Sequence, residues 1–270
     1  MKPLFPIAAI TFKEGIRNRA IYGISIIALL MLVVNFLISQ MIMREVGKVA
    51  VDIALSTVSF SGLLLVFFVG INLMAKDLDR KTIYMVLARP ISRAQYMVGK
   101  FLGMTGLIVV STGILGVFAA ASLFMLNRIY PVYFQRFSWP MVVLALLFIA
   151  LMLILLSALS FLFASFTSTS FIALVLTIIS YLIGTSINDV KKLVEAPQAA
   201  GIHPSPVMVK VVQAAYYLFP NLSFFDIKTQ AAHGLTLSPA TICWTVTYGL
   251  AYTCLVIAIA CFIFSRREFP

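Results

Sequence analysis

The chain has 270 residues, 62% of them hydrophobic and 11% charged, with a mean hydropathy of +1.06. A soluble domain carries roughly 25% charged residues, so this composition excludes one and indicates a polytopic membrane protein. The net charge of +11 is read as loop lysines and arginines that hold the chain on one side of a bilayer, with no nucleic-acid partner.

The N-terminal stretch places Phe5, Ala8, Ala9, Phe12 and Ile16 at helical spacing, with Lys13 and Arg17 on another side. That pattern predicts an interfacial helix within residues 1–19. Its charges follow its apolar part, the reverse of a secretory signal.

Intervals free of Asp, Glu, Lys and Arg mark the spans, because the hydrocarbon layer needs about 20 apolar residues in helical form. Arg19 to Arg44, Asp52 to Lys76 and Lys100 to Arg128 each bracket one span. Arg136 to Asp189 brackets a stretch too long for one crossing, so it is two spans with a turn at Ser165–Ser170. The sixth runs from Ile242 to Phe264. It holds all three cysteines, Cys243, Cys254 and Cys261, which read as small packing residues and not as a disulfide framework.

Basic residues set the orientation. With the N-terminus inside, the inner side holds Lys2, Lys13, Arg17, Arg19, Lys76, Arg80, Lys81, Arg89, Arg93, Lys100, Arg266 and Arg267. The short outer loops hold only Arg44, Lys48, Arg128 and Arg136. Both termini are therefore expected in the cytoplasm.

The loop over residues 76–100 carries structure of its own. Asp77 and Asp79 precede a short helix with Ile83, Tyr84 and Leu87 on one side, and Pro90 ends it. Ser92 and Gln95 then form a capping box, Ile91 and Tyr96 a hydrophobic staple, and the second helix continues into the third span. A membrane-surface helix and a docking corner for a soluble partner both fit this pattern.

The stretch "AKDLDRKTIYMVLARPISRAQYMVGKFLG", Ala75 to Gly103, resembles the first cytoplasmic loop of type-2 ABC permeases. In that family the loop has an acidic residue and Arg, then Gly-Thr, a short apolar helix, "PxSR" and "GK". Asp79-Arg80, Thr82, the run from Arg89 and Pro90 to Arg93, and Gly99-Lys100 match, while Lys81 stands in place of the usual Gly. The resemblance extends in outline over the whole chain, and most closely to the branch that includes permeases for multicopper-enzyme maturation. It implies an all-α, six-span fold in one transmembrane domain, with an N-terminal elbow helix and a coupling helix between spans two and three. It also implies that Asp79, Arg80, Lys81, Thr82, Ile83, Tyr84, Leu87, Arg89, Pro90 and Arg93 meet a cytoplasmic ABC ATPase, present in two copies beside two permease chains. ATP and magnesium would sit on that ATPase, with no cofactor on this chain and no catalytic role for it.

The residues agree with an external energy source. "VGKF" lacks the remainder of a Walker A motif. The charge-free intervals offer no ionisable residue at bilayer depth, as an ion-coupled carrier would need. Asn35, Asn72 and Asn188 read as interhelical hydrogen-bonding residues. A non-transporting scaffold and, less favoured, an ion-coupled carrier are the alternatives.

Gly99, Gly103, Gly106 and Gly113 share one face of the third span, for packing within the chain or for a homodimer interface. Residues 188–240 form an outer segment broken by Pro197, Pro204, Pro206, Pro220 and Pro239, which predicts short re-entrant or interfacial helices. Tyr216, Tyr217, Phe224 and Phe225 are candidates for an outer gate, or for an aromatic belt. His203 and His233 are too isolated to suggest a metal. The expected location is a prokaryotic inner membrane, with an outer-side partner protein as a further expectation.

Overall fold

A computed structural model describes residues 4–41, 45–70, 73, 92–134, 137–167, 169–195 and 205–267. Every regular element among them is helical, and six helices are long and apolar enough to cross a membrane. In chain order the elements are α1 (Leu4–Ile16), α2 (Arg19–Met41), α3 (Val46–Leu65), α4 (Arg93–Ile129), α5 (Trp139–Phe166), α6 (Ser170–Glu195), α7 (Pro206–Leu218), α8 (Lys228–His233) and α9 (Pro239–Arg266). The spans are α2, α3, α4, α5, α6 and α9. A π-helical turn, Val66–Gly70, extends α3, and short 3-10 turns occupy Pro131–Phe134 and Leu222–Phe225.

The most hydrophobic helix is α5, and it lies at the centre with α3. The others pack around these two and leave apolar faces outward, as lipid-facing spans do. Inside hydrocarbon no hydrophobic force draws helices together, so close backbone approach must supply contact. Gly116 and Gly249 let Leu146 and Leu151 of α5 approach α4 and α9, and Gly62 of α3 admits Leu153. Asn35 of α2 is fully buried and donates to the Ala50 carbonyl of α3 at 3.1 Å, the interhelical role expected of it. Asn72 lies outside the described residues. The cysteines differ from expectation: Cys243 and Cys254 are exposed on α9, and only Cys261 packs against the core.

With 37 residues, α4 is about 55 Å long, well over the roughly 30 Å hydrocarbon thickness. Its excess length gives α1 a surface to lie on. The α1 face against α4 is built from Ile7, Ala8, Thr11 and Gly15. Phe5 and Ile16 of the expected apolar face are instead exposed. The α5–α6 reversal falls between Phe166 and Ser170, within the polar interruption.

Candidate functional site

The start of α1, the start of α4 and the end of α9 meet at one end of the bundle, the terminal end. The segment carrying Asp79, Arg80, Lys81, Thr82, Ile83, Tyr84, Leu87, Arg89 and Pro90 lies outside the described residues. The positions that frame it, Leu73 and Ser92, are described.

Ser92 is the N-cap of α4. Its hydroxyl accepts from the Gln95 N–H at 3.2 Å, and its own N–H donates to Gln95 Oε1 at 3.1 Å. The reciprocal pair fixes the direction in which the chain enters α4. One turn further, Tyr96 is buried and stacks on Phe264 of α9, with ring centroids 6.2 Å apart.

Lys100 is the hub of this end, only 5% exposed. Its ammonium donates to the Leu73 carbonyl at 2.9 Å, lies 3.7 Å from the Glu14 carboxylate, and sits 5.8 Å from the Tyr96 ring centroid. One cation thus joins α1, α4 and the chain leaving α3. A charge withdrawn from water needs such partners to be tolerated.

A second set of bonds ties three helix ends. Arg93 Nη1 donates to the Arg267 carbonyl at 2.6 Å and the Ser265 carbonyl at 3.1 Å, at the end of α9. Arg267 Nη1 in turn donates to Ser165 and Ala164 carbonyls at 3.1 and 3.3 Å, at the end of α5. Terminal carbonyls lack helical partners, and cations there also meet the negative end of the helix dipole. Arg93 thus ties the start of α4 to the end of α9 within the chain. Arg93→Gln is expected to free the last turn of α9. Limited proteolysis should then cleave after Arg266 several-fold faster than in the parent.

The glycine face divides. A Cβ on Gly99 would stand 2.8 Å from Ile7, and one on Gly103 would stand 2.6 Å from both the Ala8 carbonyl oxygen and Thr11 Cβ. Gly106 lies at ordinary contact with Phe12, and Gly113 faces nothing within 4 Å among the described residues. The first three are thus covered by α1, while Gly113 is open among the described residues. Because a backbone oxygen cannot swing aside, Gly103→Ala is expected to lift α1 and cost about 1–3 kcal/mol. Gly113→Ala should leave unfolding in detergent unchanged.

The four outer aromatic residues differ in burial. Phe225 is buried, with its ring edge-on to Phe148 of α5 at 6.4 Å and tilted against Tyr248 of α9 at 6.2 Å. Phe224 is exposed but meets the Tyr248 ring edge-on at 5.9 Å. Tyr216 holds Lys191 of α6 3.8 Å from its ring centroid, and Tyr217 is exposed beside it. The segment is pinned further by the Asn221 N–H donating to the Tyr248 hydroxyl at 2.9 Å and by the Tyr252 hydroxyl donating to the Leu218 carbonyl at 3.1 Å.

Sequence reasoning missed Glu14, Leu73, Tyr248 and Arg267 as partners. For Glu14 a signal existed: it is an acidic residue in an otherwise basic N-terminal stretch. Leu73 meets Lys100 through its backbone carbonyl, which no residue type reveals.

A model of the family described as ABC-2 family transporter protein matches residues 5–269, nearly the whole chain. No curated protein matches it.

Proposed function

Since the chain belongs to the ABC-2 transporter family and is a multi-pass membrane protein with a transport permease role, we propose that it couples ATP hydrolysis on a separate cytoplasmic ATPase to movement across the membrane. The ATPase would seat on residues 79–93, with ATP and magnesium on that partner. The terminal end would then be cytoplasmic, as the basic residues at Lys13, Arg17, Arg19, Arg266 and Arg267 favour. A prokaryotic inner membrane and a pair of permease chains belong to the same reading. The narrower resemblance, to the multicopper-enzyme-maturation branch, rests on the loop motif.

The observation that carries the proposal is the buried Lys100. A push on the loop would reach Leu73 on its entry side and Ser92 on its exit side, and Lys100 links the first to α4 and α1. The Leu73 carbonyl held by Lys100 and the Ser92 cap give such a push fixed points of attachment to the spans.

Purification of the full-length chain with its bound partners tests this. An ABC ATPase is expected as the dominant companion, and Tyr84→Asp or Leu87→Asp should release it while the spans remain folded. A different soluble partner would favour a scaffold. Transport in vesicles that survives ATP depletion but collapses with the proton gradient would favour a carrier.

A further inference from the structure

The turn between α7 and α8 is sunk into the bundle. Phe225 meets Phe148 of α5, and a Cβ on Gly249 of α9 would lie 3.0 Å from its ring. On the side of α6, a Cβ on Gly184 would stand 2.7 Å from the Pro220 carbonyl oxygen and 2.8 Å from Leu222. Phe148, Gly249 and Gly184 lie nine, ten and eleven residues from the outer ends of their helices, at Trp139, Pro239 and Glu195. At the helical rise that is about 14, 15 and 17 Å. These helices are about 39–42 Å long against roughly 30 Å of hydrocarbon. An overhang of about 5 Å at each end leaves the turn about 10 Å inside the hydrocarbon layer. Three helices give this depth independently. Non-helical backbone at such depth needs partners, and the bonds from the Asn221 N–H to Tyr248 and from Tyr252 to the Leu218 carbonyl supply them.

The same depth applies to the residues that follow. Asp226 comes directly after Phe225, and its carboxylate lies 3.5 Å from the Lys228 ammonium. Residue order puts both in an outer segment, whereas the fold carries them below the outer ends of the spans. Charges at bilayer depth are costly; they pair with one another, face water and mark the routes of substrates or ions. The pair here is lopsided. The Lys228 side chain is 22% exposed and that of Asp226 51%, so the acid is the open member and the cation lies behind it. Phe224, two residues before Asp226, is exposed as well. A carboxylate half open at this depth needs water in front of it.

We propose that the turn floors a water-filled inlet from the outer side, and that Asp226 there binds molecules carrying an ammonium group. Such a group gains a charge-assisted contact with the carboxylate, and an exposed aromatic ring on the same turn adds attraction for an organic cation. An anion would find only the mostly covered cation, so the inlet selects positive charge. The inference goes beyond the transport reading and stands apart from it, because binding at this site involves no ATPase.

Thiol labelling in sealed phosphatidylcholine vesicles, with the chain termini facing the lumen, tests it. The full-length chain would carry Cys243→Ala, Cys254→Ala and Cys261→Ala, with Phe224→Cys as the reporter and Thr229→Cys as a second reporter. An unchanged unfolding temperature shows that each reporter chain is folded. Two membrane-impermeant methanethiosulfonates are added outside, one bearing a trimethylammonium group and one a sulfonate. The cationic reagent is expected to react with the Phe224→Cys thiol at least about fivefold faster than the anionic one, since one nearby charge acts on the two in opposite directions. Benzyltrimethylammonium should slow that reaction. Asp226→Asn should abolish both the preference and the protection, and Lys228→Gln should strengthen them. Reaction of both reporters with membrane-permeant N-ethylmaleimide but with neither charged reagent would overturn the proposal, because the turn would then face lipid or a covering chain. Equal rates for the two charged reagents with Asp226 in place would overturn it too, as would protection by benzyltrimethylammonium that Asp226→Asn leaves unchanged.

Discussion

Lys100→Met is expected to leave a chain that still inserts but loses at least tenfold in coupled transport. Methionine keeps much of the length of the stem and removes the cation. The Leu73 carbonyl then loses its 2.9 Å donor in a water-poor site, and Glu14 loses its counter-charge. A hydrogen bond from a charged group contributes about 1.5–3 kcal/mol, so unfolding in detergent should shift by about 2 kcal/mol. Glu14→Gln leaves the buried Lys100 ammonium its Leu73 carbonyl but removes the carboxylate 3.7 Å away, so it should destabilise as well, by about 1–3 kcal/mol. Transport measured in vesicles beside ATP turnover checks the pair. If turnover persists while transport is lost, Lys100 transmits motion. If Lys100→Met transports as well as the parent, the terminal-end cluster is structural only.

Phe225→Ala is expected to have the largest effect on stability, about 3 kcal/mol. The ring fills a space shared by Phe148, Tyr248 and Gly249, whose missing side chain leaves room for it; a Cβ there would lie 3.0 Å from the Phe225 ring. Removing a buried aromatic ring costs about 3–5 kcal/mol when the site cannot collapse. The lower end applies because hydrocarbon offers little solvent-driven penalty and the loss is mainly of contact. Hydrogen exchange should quicken across α7 and α8, which this turn anchors. Tyr217→Ala, at an exposed position, should change neither exchange nor unfolding. Equal effects from the two would mean that the outer aromatics act as one unit.

The membrane character, the six spans, the position of the α5–α6 reversal and the capping box at Ser92 were all legible in the order of residues. Each follows from local physics: about 20 apolar residues cross the hydrocarbon layer, and a cap closes within one turn. The glycine face of α4 was legible too, as a period along one helix. What met that face depended on how the helices assemble. α1 covers Gly99, Gly103 and Gly106, and Gly113 is left open. Pairing is a choice between surfaces that a helical period does not encode. The same holds for Arg93, whose partners are carbonyls at the end of α9, and for Phe225, which is buried while its neighbour Phe224 is exposed. Backbone acceptors have no signature in residue type, and burial at the outer segment depends on which helices converge there.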